Sequence, residues 1–354
     1  MRIKNFDLGL LLPIIFLSSF GVIVILSTSG SLAKEQLVFA ILGLLIFFLV
    51  SLTSTLYFES FAPYLYVLAL FLLLVTDILG VVSHGSVRWI PLGFAGLTLQ
   101  ASELSKFFLI ISLSAFFCTK SLREGIKGLA SSLILLGLPA VMVFLQPDLG
   151  TALILLSIWL ILVLASGIKF EYLLFVTLFV IVLIPLFWQF LKPYQKERIN
   201  AFLDPNSDPL GSGYHVLQSK IAIGSGGVWG RGFGQGTQSR LRFLPEFHND
   251  FIFASLSEEW GLVGGLTLLS LYVFLLLRIL KLSLDSAYGF DRFLSLGVFG
   301  LIFSQVVINV GMNLGLAPVT GIPLPLVSSG GSSLVSTMAC LGLVQSVALN
   351  KRMG

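Results

Sequence analysis

Ten stretches of mostly apolar residues, each close to the length of a membrane span, divide this chain and leave few folds open to it. They run over about 8–28, 36–53, 60–82, 102–119, 127–145, 149–167, 170–190, 250–278, 288–312 and 325–349. A helix needs roughly 20 apolar residues to cross the hydrocarbon of a bilayer. Only 11% of the chain is charged, against roughly 25% in soluble domains. The expected fold is an all-α integral membrane protein of about ten spans, a single polytopic domain over residues 1–354. The first stretch is too long for the apolar core of a signal peptide and lacks a small-residue cleavage site, so it reads as an uncleaved span. Cys118 and Cys340 sit in separate apolar runs, without disulfide or metal spacing.

Lys and Arg set the orientation, because short cytoplasmic loops carry an excess of them. With the N-terminus inside, the inner segments hold Arg2, Lys4, Lys120, Arg123, Lys127, Lys169, Arg278, Lys281, Arg292, Lys351 and Arg352. The short outer loops hold only Lys34 and Arg88. Ten spans then place both termini in the cytoplasm. The largest extracytoplasmic loop is 191–249, between spans seven and eight, and further outer segments are 83–101 and 313–324.

The ionisable groups gather on that outer side. Glu103 and Lys106 are three apart, so on a helix they share a face. They serve either as an internal ion pair or as the lining of a polar cavity. Asp148 follows Pro147 between spans five and six, where it can cap the next helix or face the same cavity. The long loop carries Lys192, Lys196, Arg198, Lys220, Arg231, Arg240 and Arg242, with a Gly-rich segment over 224–236. Gly-rich backbone can approach a phosphate, but no Gly-Lys-Ser/Thr ending marks a nucleotide loop. The segment is either surface turns or a lid with basic groups over an anionic lipid head. Glu246, His248 and Asp250 alternate ahead of span eight. Asp250 stands near that helix's start, where the macrodipole favours a negative charge and capping is a competing explanation. Glu258 and Glu259 lie deeper, too costly to leave unpaired in lipid, and one of them can share Asp250's face. Gly261 and Gly265 have the spacing of a close helix crossing. Residues 311–333 mix prolines, glycines and serines into an apolar background. Broken backbone at membrane depth survives only beside protein or a watery cavity, so this segment is expected to line the cavity too.

Six ordered motifs resemble the SEDS family (shape, elongation, division and sporulation) over nearly the whole chain. They are Gly85-Ser-Val-Arg-Trp-Ile90, Gln100-Ala-Ser-Glu-Leu-Ser-Lys106, Gln146-Pro-Asp-Leu-Gly-Thr151, Leu244-Pro-Glu-Phe-His-Asn-Asp-Phe-Ile-Phe-Ala254, Glu258-Glu259 and Pro323-Leu-Pro-Leu-Val-Ser-Ser-Gly-Gly-Ser-Ser333. Val319-Thr-Gly-Ile-Pro-Leu-Pro325 resembles the elongation branch. Ala101, Phe247, Asn249 and Ser329 depart from the usual pattern, and bear on substrate preference and branch more than on the chemistry.

The resemblance implies a peptidoglycan glycosyltransferase of the bacterial cytoplasmic membrane. Such an enzyme polymerises lipid II on the extracytoplasmic face for cell elongation and shape, and works with a class B penicillin-binding protein. By the same resemblance Asp250 is the catalytic aspartate, a general base for inverting single displacement. Arg88, Glu103, Lys106, Asp148, Arg198, Lys220, Arg240, His248 and Ser332 are the candidate cavity and pyrophosphate residues. No metal cluster or cofactor is required, though a divalent cation at the pyrophosphate is compatible with the chemistry. Membrane lipids are expected partners and nucleic acid is not. The alternatives are a lipid II flippase or exporter, or a non-catalytic scaffold for the penicillin-binding protein. A flippase needs polar groups along its whole path, whereas the inner halves of these spans are nearly free of charge.

Overall fold

The computed structural model describes residues 6–351 except 84–85, 92–97, 120–124, 170, 173, 175–188, 190, 206–210, 212, 242 and 245. The chain order begins with α1 (Leu8–Thr28), α2 (Gly30–Leu52) and α3 (Thr55–Leu79), then β1 (Val81–Ser83), β2 (Ser86–Pro91) and β3 (Thr98–Gln100). It continues with α4 (Ala101–Cys118), α5 (Ile126–Leu145), α6 (Leu149–Ala165), α7 (Pro193–Leu203), α8 (Tyr214–Gly226) and α9 (Thr237–Arg240). It ends with α10 (Ile252–Leu284), α11 (Gly289–Leu314) and α12 (Gly331–Lys351). Eight of these helices are long and apolar enough to cross a membrane, and α6, apolar throughout, has 17 residues. The expected seventh span, 170–190, lies almost wholly outside the described residues.

The all-α expectation needs one correction. Residues 81–100 form a three-stranded antiparallel sheet in the order β1-β2-β3, with Trp89 opposite Gln100 and Val82 opposite Val87. The strands are three to six residues long, and Arg88 lies in the middle one. The sheet runs directly into α4, so it sets where Glu103 enters the bundle.

Lipid offers no hydrophobic drive between helices, so close packing and polar contacts must hold the bundle. Both are visible. α12 packs most extensively on α2, where Gly43 and Gly342 leave no room for a Cβ beside Met338 and the Phe47 carbonyl. At one end Asp7 caps α1 through Leu10 N and pairs with Arg278 of α10. α4, α11 and α12 are the most enclosed of the long helices, while α2, α3 and α5 show most of their apolar side chains to the surroundings.

α10 is broken at Gly261, whose φ is 66° and ψ is −162°. A break frees carbonyls before it and amides after it, and in lipid these must find partners. The Gly-rich segment supplies them. Arg231 N and Gly232 N donate to the carbonyls of Glu258 and Glu259, at 3.0 and 2.9 Å. The amides of Leu262 and Val263 donate to the carbonyls of Gly227 and Val228, at 2.9 and 3.2 Å. The segment is thus a set of surface turns, as one of the two readings had it, with its backbone stitched into the gap. Gly261 serves that break, and Gly265 meets only side chains of its own helix, so the pair does not mark a helix crossing.

Two glycines separate this contact from ordinary loop flexibility. A Cβ on Gly230, which has φ 81°, would fall 2.1 Å from the Glu259 carbonyl oxygen, whereas one on Gly224 meets nothing within 4 Å. Gly230→Ala should therefore destabilise the protein by about 3 kcal/mol or more. Gly224→Ala, in α8, should be neutral to stabilising. Thermal unfolding of the two purified variants in detergent checks the difference.

Candidate active site

Several polar groups gather at the bundle end that carries α7–α9. They line a small cavity of about 50 Å³, walled by Gln100, Glu103, Lys106, Asp148, Thr151, Gln305 and residues 321–323. Lys106 Nζ lies 2.7 Å from Glu103 Oε1, and both side chains are buried. The second Glu103 oxygen accepts from Ser336 Oγ on α12, at 2.9 Å. The i,i+3 pair is thus both an internal ion pair and a cavity wall. Asp148 likewise fills both roles left open for it. Its Oδ1 caps α6 by accepting from Thr151 N at 3.1 Å, and its Oδ2 accepts from Thr151 Oγ1 at 3.0 Å. Its carboxylate still borders the cavity.

Asp250 stands at the edge of this cavity. A Cβ built on Gly321, which lines the cavity, would lie 3.5 Å from Asp250 Oδ2 and 3.9 Å from Arg198 Nη1. Gly321 itself has φ 74°, and its bare backbone leaves room for an acid and a cation beside the same position. Arg198, on α7, also donates to the Val319 carbonyl at 3.3 Å. Asp250 precedes α10 by two residues, and the N-cap of that helix is Phe251. The capping role weighed for Asp250 is filled by Asn313 of α11, whose Oδ1 accepts from Ala254 N at 3.1 Å.

Asn309 and Asn313 hold the site's backbone in ways that the motifs did not signal. Both donate from Nδ2 to the Asp250 carbonyl, each at 3.0 Å, and Asn309 also donates to the Ile322 carbonyl at 2.8 Å. They tie the acid-bearing turn to the 315–330 segment. Ser328 adds to this: its Oγ donates to the Asn249 carbonyl at 2.6 Å, and its carbonyl accepts from Gln36 at 3.1 Å. Gln305, one turn before Asn309 on α11, is a further cavity residue outside the motifs. Its i,i+4 spacing from Asn309 is a readable signal that three carboxamides share a stripe of one helix.

The other expected residues are dispersed. His248 sits in the turn before Asp250, where its carbonyl accepts from Ser329 N at 2.9 Å. Ser332 opens α12, and Gln100 N donates to its Oγ at 3.4 Å. Lys220 is exposed on α8 and lies over Gly315, the C-terminal cap of α11. Arg240 donates to the Gly234 carbonyl at 3.2 Å, within the Gly-rich segment. Arg88 is placed by its backbone in β2, and its side chain lies outside the described residues. Glu258 does not turn toward Asp250. It accepts from Thr237, Gln238 N and both Ser239 donors at the start of α9. Glu259 accepts from Ser27 of α1 at 2.7 Å. Among the described residues no cluster of three His, Cys, Asp or Glu could hold a metal ion.

A family profile described as cell cycle protein, FtsW/RodA/SpoVE, matches residues 3–353. The chain belongs to that family. The peptidoglycan glycosyltransferase MrdB of Escherichia coli K12 is 39% identical over 353 residues, covering 99% of this chain and 95% of that one. The peptidoglycan glycosyltransferase RodA of Treponema pallidum is 31% identical, covering 98% of this chain and 99% of that one. Among solved structures, a chain from a work on structural coordination of polymerization and crosslinking by a peptidoglycan synthase complex is 36% identical. It aligns over 99% of both chains with a TM-score of 0.85. The rod shape determining protein RodA of Thermus thermophilus is 31% identical, covers 98% of this chain and 97% of that one, and has a TM-score of 0.73. The helical bundle is thus the RodA fold.

Two outcomes follow from the site's electrostatics. Removing one member of a buried ion pair strands the other charge, at about 3–5 kcal/mol, whereas removing both often costs little. Lys106→Met should therefore destabilise the protein more than the double variant Glu103→Gln/Lys106→Met, as read by thermal unfolding. His248 and His215 both lie below the ordinary imidazole value of 6.5, chiefly through burial; Arg198 lowers His215 further, and Glu246 opposes the shift at both. The unfolded chain then takes up protons near 6.5, before the folded one does. Stability should fall as pH drops from 6.5 through the lowered folded values, then level off. His248→Gln should make that fall shallower in melting curves taken between pH 7.5 and 5.

Proposed function

We propose that this chain polymerises lipid II by inverting glycosyl transfer, with Asp250 as the general base. The chain is a peptidoglycan glycosyltransferase, the activity named for its relatives in Escherichia coli and Treponema pallidum. One observation carries the finer reading: the Asp250 carboxylate and the Arg198 guanidinium converge at Gly321, on the rim of the cavity that holds Glu103, Lys106 and Asp148.

The cavity itself has room for a few waters and no more, since each needs about 10–15 Å³ of such space. The sugars therefore lie across its mouth rather than inside it. At that mouth Asp250 accepts the proton of the acceptor 4-hydroxyl. The freed oxygen attacks the anomeric carbon of the donor, the bond to the lipid pyrophosphate breaks, and its electron pair leaves with the pyrophosphate. A single displacement turns an α-linked donor into a β-linked product. Arg198 neutralises charge on the leaving group, and Lys106 supports it from the cavity wall, held in place by Glu103. General-base assistance of this kind is worth about 10²–10⁴-fold, and charge stabilisation at the leaving oxygen a comparable or larger factor.

The protein works in the bacterial inner membrane, as a multi-pass chain with the site on the extracytoplasmic face. The distribution of Lys and Arg between the loops supports that orientation. A class B penicillin-binding protein is the proposed partner, supported by the likeness to a chain of a peptidoglycan synthase complex.

Purified Asp250→Asn should fold and insert, yet form no glycan from lipid II on a gel. Wild-type-like polymer from that variant would remove Asp250 from the base position. Arg198→Ala should weaken donor use with folding intact, and unchanged turnover and half-saturation would exclude its part in leaving-group binding.

A further inference from the structure

A second recess lies apart from the Asp250 site, between α1, the Gly-rich segment and α10. It encloses about 400 Å³ and is walled by Phe20, Trp229, Phe233, Trp260 and Val263, with Glu259 at one end. Glu259 is 2% exposed, and its Oε2 makes no hydrogen bond of acceptable geometry. The groups that approach its carboxyl are dipoles, the Ser27 hydroxyl and the Gly234 amide, and among the described residues the charge that acts on it is the neighbouring acid Glu258. No described Lys or Arg forms an ion pair with it. Trp260 Nε1, beside it, is buried and has no acceptor among the described residues. A buried carboxylate without a cation is costly, and such groups are normally paired.

The recess also has a direction. Ser27, which holds Glu259, is the last residue but one of α1. Phe20 stands seven residues earlier on that helix, about 10 Å toward the bundle's middle, and its ring packs on Trp260 at 5.6 Å. The polar end therefore lies at the level where a spanning helix stops, and the apolar walls run inward from it. Trp229 and Phe233, at the rim, are exposed.

We propose that this groove binds a membrane phospholipid with a primary ammonium head, a phosphatidylethanolamine, whose N–H donors face Glu259 and whose acyl chain lies against Phe20, Trp260 and Val263. The acid supplies the negative charge such a head requires, and Trp260 Nε1 can donate to an oxygen of the same head. A polyprenyl pyrophosphate would instead bring its anionic head to the Glu259 carboxylate, so the groove is not a second place for the substrate.

Tryptophan quenching by brominated acyl chains reads the groove directly, because Trp229 and Trp260 line it. The full-length protein would be reconstituted in phosphatidylcholine with small fractions of brominated phosphatidylethanolamine, phosphatidylcholine or phosphatidylglycerol. A charge-assisted hydrogen bond to the head predicts that brominated phosphatidylethanolamine reaches half-maximal quenching at about a tenfold lower fraction than the phosphatidylcholine form. The phosphatidylglycerol form should be weakest, and Glu259→Gln should erase the difference between the first two. Should that variant not fold, the wild-type protein still decides. Stepwise N-methylation of the ethanolamine head should weaken quenching at each step as N–H donors are lost. Equal quenching by all three heads, or no trend along the methylation series, overturns the proposal. So does quenching without head preference that is displaced by a partner's membrane helix, which would make the groove a protein-docking surface.

Discussion

Two carboxamides one turn apart on α11 hold the acid-bearing turn in place. Asn309 and Asn313 both donate to the Asp250 carbonyl, while Asn309 also reaches the Ile322 carbonyl and Asn313 accepts the Ala254 amide. Irregular backbone at the end of a membrane bundle cannot rely on water for its hydrogen bonds. Each unmade bond would cost about 1–3 kcal/mol. Here two side chains of one buried helix meet that need for three separate segments. The consequence is positional: the start of α10, the 315–330 segment and α11 become one unit, and the Asp250 carboxylate is left beside Gly321.

The same logic recurs two turns further along α10. Gly261 interrupts the helix, and the Gly-rich segment fills the break with its own backbone groups. Glu258 then anchors the segment's end by accepting four hydrogen bonds at the start of α9. Three acids close together in sequence thus have three different settings. Asp250 borders the cavity, Glu258 fixes the loop, and Glu259 faces an apolar groove. The loop is thus tied to α10, which begins two residues after Asp250.

Features set by local periodicity were legible in the amino-acid sequence. The apolar runs among the described residues form helices, the i,i+3 spacing of Glu103 and Lys106 gives a buried pair, and Pro147-Asp148 gives a cap that also borders the cavity. Features set by distant partners were not legible there. The spacing shows that Asn309 and Asn313 share a stripe with Gln305, but not which segments the two asparagines hold. The sheet over 81–100 was unreadable because its strands are three to six residues long and carry no sustained alternation. Basic residues of the long loop could be counted but not sorted: Arg198 reaches Gly321, whereas Arg240 is spent on the Gly-rich segment and Lys220 lies over the end of α11.

In the proposed reaction the Asp250 carboxylate removes the acceptor proton. The pH dependence of single-turnover glycan formation tests it most directly. The wild-type rate should rise with pH through one ionisation in the carboxylate range and then level off. In Asp250→Asn the residual rate should be flat across that range. An ascending limb that persists unchanged in the variant would contradict the account and assign the base to another group.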